Sequence, residues 1–244
     1  MSVFDLGNID LKEIVSDLLS RSKVPDSNVR AGKNLIDPFA AALEVILNNH
    51  KTQEDWQRSE NLRTNQKNLM NQLGDTQQKM IGTLDGWASY PSGSGMPDIV
   101  GVRGSQKVIA EVKNKHNTMN FSSSKETYDE LVRFLEMPQY KGFAGLVVTL
   151  IAPTSQEKIK HFAPGDRSKR DDVLIVSGRT FYAIATDPLT RQPTLKLGTS
   201  SDLRKWESWT AIDSMIEMFW KELEKQSGTI IPTWVKNLVS QAYG

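Results

Sequence analysis

The sequence predicts an α/β fold, a central mixed β-sheet flanked by helices, with extra helices at the N- and C-terminal ends. Three observations carry that reading. Residues 98–113 form two apolar, β-branched runs around Gly104-Ser105, Gly145 to Ile151 (GLVVTLI) is an unbroken apolar run, and an amphipathic stretch of helical period separates them. Strands apolar on both sides belong inside a sheet covered twice. A helix passing from the hairpin to the second run makes a parallel crossover.

At 244 residues the chain is long enough to bury a core without staples, and one domain spanning 1–244 is expected. There is no cysteine, which excludes disulfides, zinc-thiolate sites and a cysteine nucleophile. No apolar run approaches the roughly 20 residues of a membrane-spanning helix, and MSVFDLGNID is not a signal peptide, so a soluble, cytoplasmic protein with no membrane partner is expected. Net charge is +1, without a global basic signature. The excess is local: residues 95–170 hold 12 Lys+Arg against 8 Asp+Glu.

From Asp10, the positions Leu11, Ile14, Val15, Leu18 and Leu19 follow one helical stripe that breaks before Pro25. Asp37-Pro38 reads as N-cap and first residue of FAAALEVILNN, a helix apolar almost all round. Its one charge is Glu44, which sits at a solvent-facing edge or is held by a partner. Thr52 to Leu73 is a polar helix with a thin stripe of Trp56, Leu69, Met70 and Leu73, and Gly74-Asp75-Thr76 restarts a short helix to Leu84. The loop from Pro91 to Gly95 lacks the lysine-serine/threonine pair and the following helix of a phosphate-cradling motif.

The hairpin comes next, and its turn sets the register. Glycine first in a two-residue loop is the mark of a type II′ turn. A turn centred on Gly104-Ser105 places Asp98 directly opposite Glu111, and Lys113 projects from the same face as Glu111. Like charges directly opposite are destabilising unless a cation lies between them. Two carboxylates without histidine or cysteine make a hard, oxygen-rich site that suits Mg²⁺, with Mn²⁺ as substitute. The lysine can orient or deprotonate a water and offset charge on a phosphate. That trio is the chemistry of metal-assisted phosphodiester hydrolysis.

Pro97-Asp98 followed by Glu111-Val112-Lys113 resembles the PD-(D/E)XK motif of the nuclease superfamily that includes most type II restriction endonucleases. The resemblance covers roughly residues 35 to 185. It implies a restriction-endonuclease-like fold, a metal set of Asp98, Glu111 and Val112, and catalysis by Asp98, Glu111 and Lys113. An early-helix acid often joins such sites, which implies Glu44, with Glu60 as runner-up. The run Lys113 to Asn120 (KNKHNTMN) also resembles a group of restriction enzymes that cut interrupted GG/CC palindromes.

Double-stranded DNA is then the expected partner, with a homodimer matching a palindrome and a cognate DNA methyltransferase acting on the same site. Asn114, Lys115, Asn117 and Thr118 continue from the active strand, where amide side chains suit base edges. Capping of the next helix is their competing use. His116 can touch phosphate or base, Ser94 lies in the approach loop, and Arg167, Lys169 and Arg170 form a basic cluster. Two other readings remain: a repair or junction-resolving nuclease of the same fold, and a non-catalytic DNA-binding protein.

After the motif, Ser122 to Glu136 is an amphipathic helix, and Val173–Val176 with Thr180–Ala185 form a second hairpin around Ser177-Gly178. A late helix carries Trp206, Trp209, Met215, Met218, Phe219, Trp220 and Leu223, and Pro232 opens a last one with Trp234. Core packing or a dimer surface accounts for this aromatic set. The dimer reading slightly favours the helix from Thr52 to Leu73.

Overall fold

A computed structural model describes residues 8–22, 38–103, 106–115, 119–152, 159–186 and 209–238. Helices α1 (Asn8–Ser22), α2 (Pro38–Leu47) and α3 (Gln53–Gly82) come first. Strands β1 (Trp87–Ser89), β2 (Ile99–Arg103) and β3 (Gln106–Lys115) follow, then α4 (Phe121–Leu135), β4 (Ala144–Ile151), β5 (Ile159–His161), β6 (Val173–Ser177), α5 (Gly178–Thr186), α6 (Trp209–Ser227) and the short α7 (Thr233–Lys236). The chain divides into two compact units, 16–73 and the remainder.

The larger unit holds a six-stranded mixed sheet in the order β1-β2-β3-β4-β6-β5. β1, β2 and β3 are antiparallel, β3, β4 and β6 are parallel, and β5 runs against β6. The crossover from β3 to β4 runs through α4, as the sequence predicts. Ile109, Val147 and Val173 line one face and are fully buried under Tyr128, Leu131 and Phe134 of α4. That helix starts where Asn120 Oδ1 accepts a hydrogen bond from the Ser123 amide at 2.8 Å, an N-cap in extended geometry. It lies close to β4, since a Cβ on Gly145 would stand 3.2 Å from Leu135 Cδ1.

The opposite face carries Val108, Ala110, Leu146, Val148, Leu174 and Val176, all buried. α5 contacts β4 and β6, and its Phe181 meets the Trp87 ring edge-on at 5.2 Å. Trp87 Nε1 donates to the Ala185 carbonyl at 3.2 Å, so the indole's polar edge is satisfied inside the core. Coverage on both sides explains why β3 and β4 are apolar in both directions.

Two sequence expectations are corrected here. Residues 180–185 form a helix, not a strand of a second hairpin. Ser177 is the reason: its Oγ accepts from the Thr180 amide at 3.3 Å and donates to Thr180 Oγ1 at 2.9 Å, which caps α5. Gly178 then passes against β4, where a Cβ would meet the Leu150 carbonyl oxygen at 2.4 Å. Likewise α3 does not restart at Gly74 but runs unbroken through it. A glycine inside a helix costs only about 1 kcal/mol relative to alanine, and Thr76, Met80 and Ile81 beyond it are buried.

In the 16–73 unit, Gln72 Nε2 donates to the Arg21 carbonyl at 3.2 Å, and Ser22 Oγ donates to Gln72 Oε1 at 3.1 Å. α2 buries none of its residues: Phe39 is 85%, Ile46 74% and Leu47 72% exposed. Among the described residues, no helix is long and apolar enough to cross a membrane.

Candidate active site

β2 and β3 pair Ile99 with Ala110 and Arg103 with Gln106, which is the register read from the turn position. The turn residues Gly104 and Ser105 lie outside the described residues. Beyond Ile99 the ladder ends, and the Asp98 side chain takes over. Its Oδ2 accepts from the Val112 amide at 2.9 Å, a donor that β2 no longer reaches. The Asp98 carbonyl accepts from the Tyr90 amide at 2.9 Å, which fixes the backbone on the other side.

Glu111 lies on the α4 face of β3, only 8% exposed. Burial pushes its carboxyl up to about 8, the neighbouring Asp98 charge adds to the shift, and Lys113 opposes it. A hydrogen bond with Asp98 and the charge of Glu130 favour the protonated form as well. Lys113 Nζ stands 3.5 Å from Glu111 Oε2. Two carboxyls and an ammonium therefore meet on one face at the end of the shared hairpin.

The donor set suits a hard divalent cation. The raised Glu111 carboxyl holds a proton in a half-closed oxygen site beside a second carboxylate, and a cation placed there would relieve the same repulsion. Val112 can add only its main-chain carbonyl oxygen, because its side chain is a hydrocarbon. Among the described residues no three His, Cys, Asp or Glu side chains gather as a metal-binding group. A site of two carboxylates completed by main-chain and water oxygens is the pattern Mg²⁺ accepts.

The other predicted residues fall in different places. Ser94 is exposed in a loop where Gly93 and Gly95 adopt φ of 81° and 74°, and its Oγ accepts from the Met96 amide at 3.3 Å. Asn114 and Lys115 end β3, and the Asn114 side-chain oxygen is buried without a partner. His116, Asn117 and Thr118 lie outside the described residues. Arg167 holds Asp129 through Nε at 2.7 Å and Nη2 at 2.5 Å, and Arg170 holds both oxygens of Asp172 at 2.8 Å. Those two guanidiniums already serve acidic neighbours, while Lys169 is exposed.

Glu44 belongs to the 16–73 unit, where its Oε1 accepts from Ser59 Oγ at 2.9 Å. Glu60 of the same unit pairs with Arg63 through two hydrogen bonds, which lowers its carboxyl below the usual range. His161 is half-buried on β5 with Nδ1 2.9 Å from the Arg170 carbonyl oxygen. Sequence reasoning missed Thr149 and Glu130. Thr149 is the one polar residue of the β4 run, and the parallel register that sets it beside Lys113 is not visible in the sequence.

Residues 6–193 match the model of the Eco47II restriction endonuclease family. The chain is 28% identical over 192 residues to the type II restriction enzyme Eco47II of Escherichia coli, covering 74% of this chain and 78% of that one. It is 30% identical over 163 residues to the type II restriction enzyme Sau96I of Staphylococcus aureus, covering 63% of this chain and 60% of that one. The family match takes in well over half of the sequence, both strands of the hairpin and all three residues of the carboxylate-lysine cluster, and the protein therefore belongs to the Eco47II restriction endonuclease family, a group of type II endodeoxyribonucleases.

Proposed function

We propose that this enzyme hydrolyses phosphodiester bonds of double-stranded DNA at a short palindrome, an interrupted GG/CC sequence, using Mg²⁺ or, in its place, Mn²⁺. The observation that carries the reading is the meeting of Asp98, Glu111 and Lys113 on one face of the hairpin. Type II restriction endonucleases act on double-stranded DNA and as a family use a divalent metal. The choice of Mg²⁺ follows from the all-oxygen donor set, and the choice of target from the resemblance of the Lys113 to Asn120 run.

Asp98, Glu111 and the Val112 carbonyl would hold the ion. When bound, it supplies Lewis-acid and water-activating chemistry at the scissile phosphate. The Val112 amide keeps the Asp98 carboxylate aimed, so little reorganisation is needed on substrate binding. Lys113 orients the attacking water and offsets negative charge building on the phosphate. Glu44 is retained as the early-helix acid of the proposal.

For the substrate, Asn114, Lys115, His116, Asn117 and Thr118 read or steady the DNA beyond β3, and Ser94 approaches from its loop. Lys169 offers its charge to phosphate. Arg167 and Arg170 keep the segment that carries it in place through their acidic partners. The whole chain acts as one endonuclease domain, in the cytoplasm, beside a methyltransferase that protects the same site.

A homodimer places one such cluster on each strand of a palindrome. The open apolar side of α2, with Phe39, Leu43, Ile46 and Leu47, supports a contact through the 16–73 unit, where α3 adds the exposed Leu62, Leu69 and Met70.

Digestion of a plasmid of known sequence, in Mg²⁺, Mn²⁺, Ca²⁺ or excess EDTA, tests the proposal. Discrete fragments are expected in the first two alone, because Ca²⁺ prefers looser and higher coordination. Cuts confined to branched DNA would move the reading to a junction-resolving enzyme, and no cleavage at all would refute catalysis.

A further inference from the structure

Resting on the nuclease reading above, we propose that Thr149 is a positioning residue for Lys113, its hydroxyl accepting a hydrogen bond from the Lys113 ammonium in the working site. Thr149 is 3% exposed, and its Oγ1 is buried with no hydrogen-bond partner. A buried hydroxyl left unpaired is destabilising, and native interiors rarely keep one. The fold does not ask for it: Leu146, Val147, Val148 and Leu150 fill the rest of the strand with hydrocarbon.

The register says what it is beside. β3 and β4 pair Lys113 with Thr149 and Glu111 with Val147. Residues paired across neighbouring strands share a face, and the strands lie about 4.8 Å apart. Thr149 is thus the lateral neighbour of Lys113 on the side that holds Glu111. Ser177, next in the same row, is already engaged in capping α5. The Thr149 hydroxyl carries no such commitment.

Lys113 leans towards Glu111 at 3.5 Å, and that carboxyl also serves Asp98. With its oxygens on a cation, Glu111 would no longer hold the ammonium, which would need another acceptor to stay aimed at the attacking water. The hydroxyl across the strand is placed to be that acceptor.

Thr149→Val keeps the shape and removes the hydroxyl, and Thr149→Ser keeps the hydroxyl. Steady-state cleavage of a long duplex DNA of known sequence in Mg²⁺, with thermal melting of each metal-free protein, separates the roles. Thr149→Val should lower kcat roughly 10- to 100-fold with KM changed by less than about twofold. Its melting temperature should equal or exceed that of the parent, and Thr149→Ser should recover kcat to within about threefold. A Thr149→Val protein with parental kcat would overturn the proposal, as would a kcat loss that follows a fall in melting temperature and that serine does not rescue. A parent protein that cuts no duplex DNA would instead overturn the nuclease reading, and this role with it.

Discussion

Asp98 Oδ2 accepts the Val112 amide proton at 2.9 Å, so the acid that leads the hairpin grips the main chain midway between Glu111 and Lys113. One side chain thereby completes the β ladder and fixes the spacing of the site. Asp98→Asn tests both parts, because an amide oxygen can still accept from Val112 while its charge is gone. Cleavage should fall roughly a thousandfold or more, since a ligand and a negative charge are lost together. Thermal melting of the metal-free variant should show little loss of stability near neutral pH, because the amide oxygen still accepts the Val112 proton. Parental activity in this variant would contradict the assignment.

Glu111 gives the metal-free protein a pH dependence of definite sign. Its folded carboxyl titrates near 8 against 4.5 as an ordinary glutamate, raised first by burial and then by Asp98. Between those values the folded chain keeps a proton that the unfolded chain releases, so stability is fully present below about 4.5 and is lost as pH rises towards 8. Melting temperature in EDTA should fall across that window, and Glu111→Gln should flatten the fall. Added Mg²⁺ should release a proton on binding and stabilise more at higher pH. A melting temperature that climbs from pH 5 to 8 in EDTA, with no change in Glu111→Gln, would contradict this.

Arg167 and Arg170 are each engaged by an acidic neighbour, while Lys169 is exposed. Arg167 and Asp129 are 30% and 52% exposed, and a pair so open to water contributes little to stability. Arg167→Ala should therefore change stability only slightly and leave the salt dependence of DNA binding alone. Lys169→Ala should weaken binding across sequences and reduce the salt slope by about one phosphate contact. Fluorescence anisotropy in Ca²⁺ over a salt series measures both, and the reverse outcome would exchange their roles.

Glu44 has a local use in its bond from Ser59 and a proposed one in catalysis. Glu44→Gln keeps an oxygen for Ser59 and removes the negative charge. The proposal expects a large fall in cleavage with little change in melting temperature. Equal activity would leave Glu44 with its structural bond alone.

Much of this site was legible because its determinants are local. The position of Gly104-Ser105 sets which residues of β2 and β3 face each other, and alternation then puts Lys113 with Glu111. What escaped depends on distant parts of the chain. Ser177-Gly178 suits a turn as well as a cap; the bonds between Ser177 Oγ and Thr180 make it a cap, and Gly178 packs over Leu150 of a strand far back in the chain. That Arg167 pairs with Asp129, far away in sequence, could not be read from the basic cluster alone.

Asp98, Glu111 and Lys113 are proposed to make one metal-dependent centre that cuts duplex DNA at a fixed sequence. Sequencing the ends of fragments made by the parent and by Lys113→Ala, from the same long DNA in Mg²⁺, tests it most directly. The parent should leave one short two-fold symmetric sequence at every end, and Lys113→Ala, folded and still binding DNA, should leave no cuts. Ends without a common sequence, or the parental pattern at parental rate from Lys113→Ala, would contradict the account.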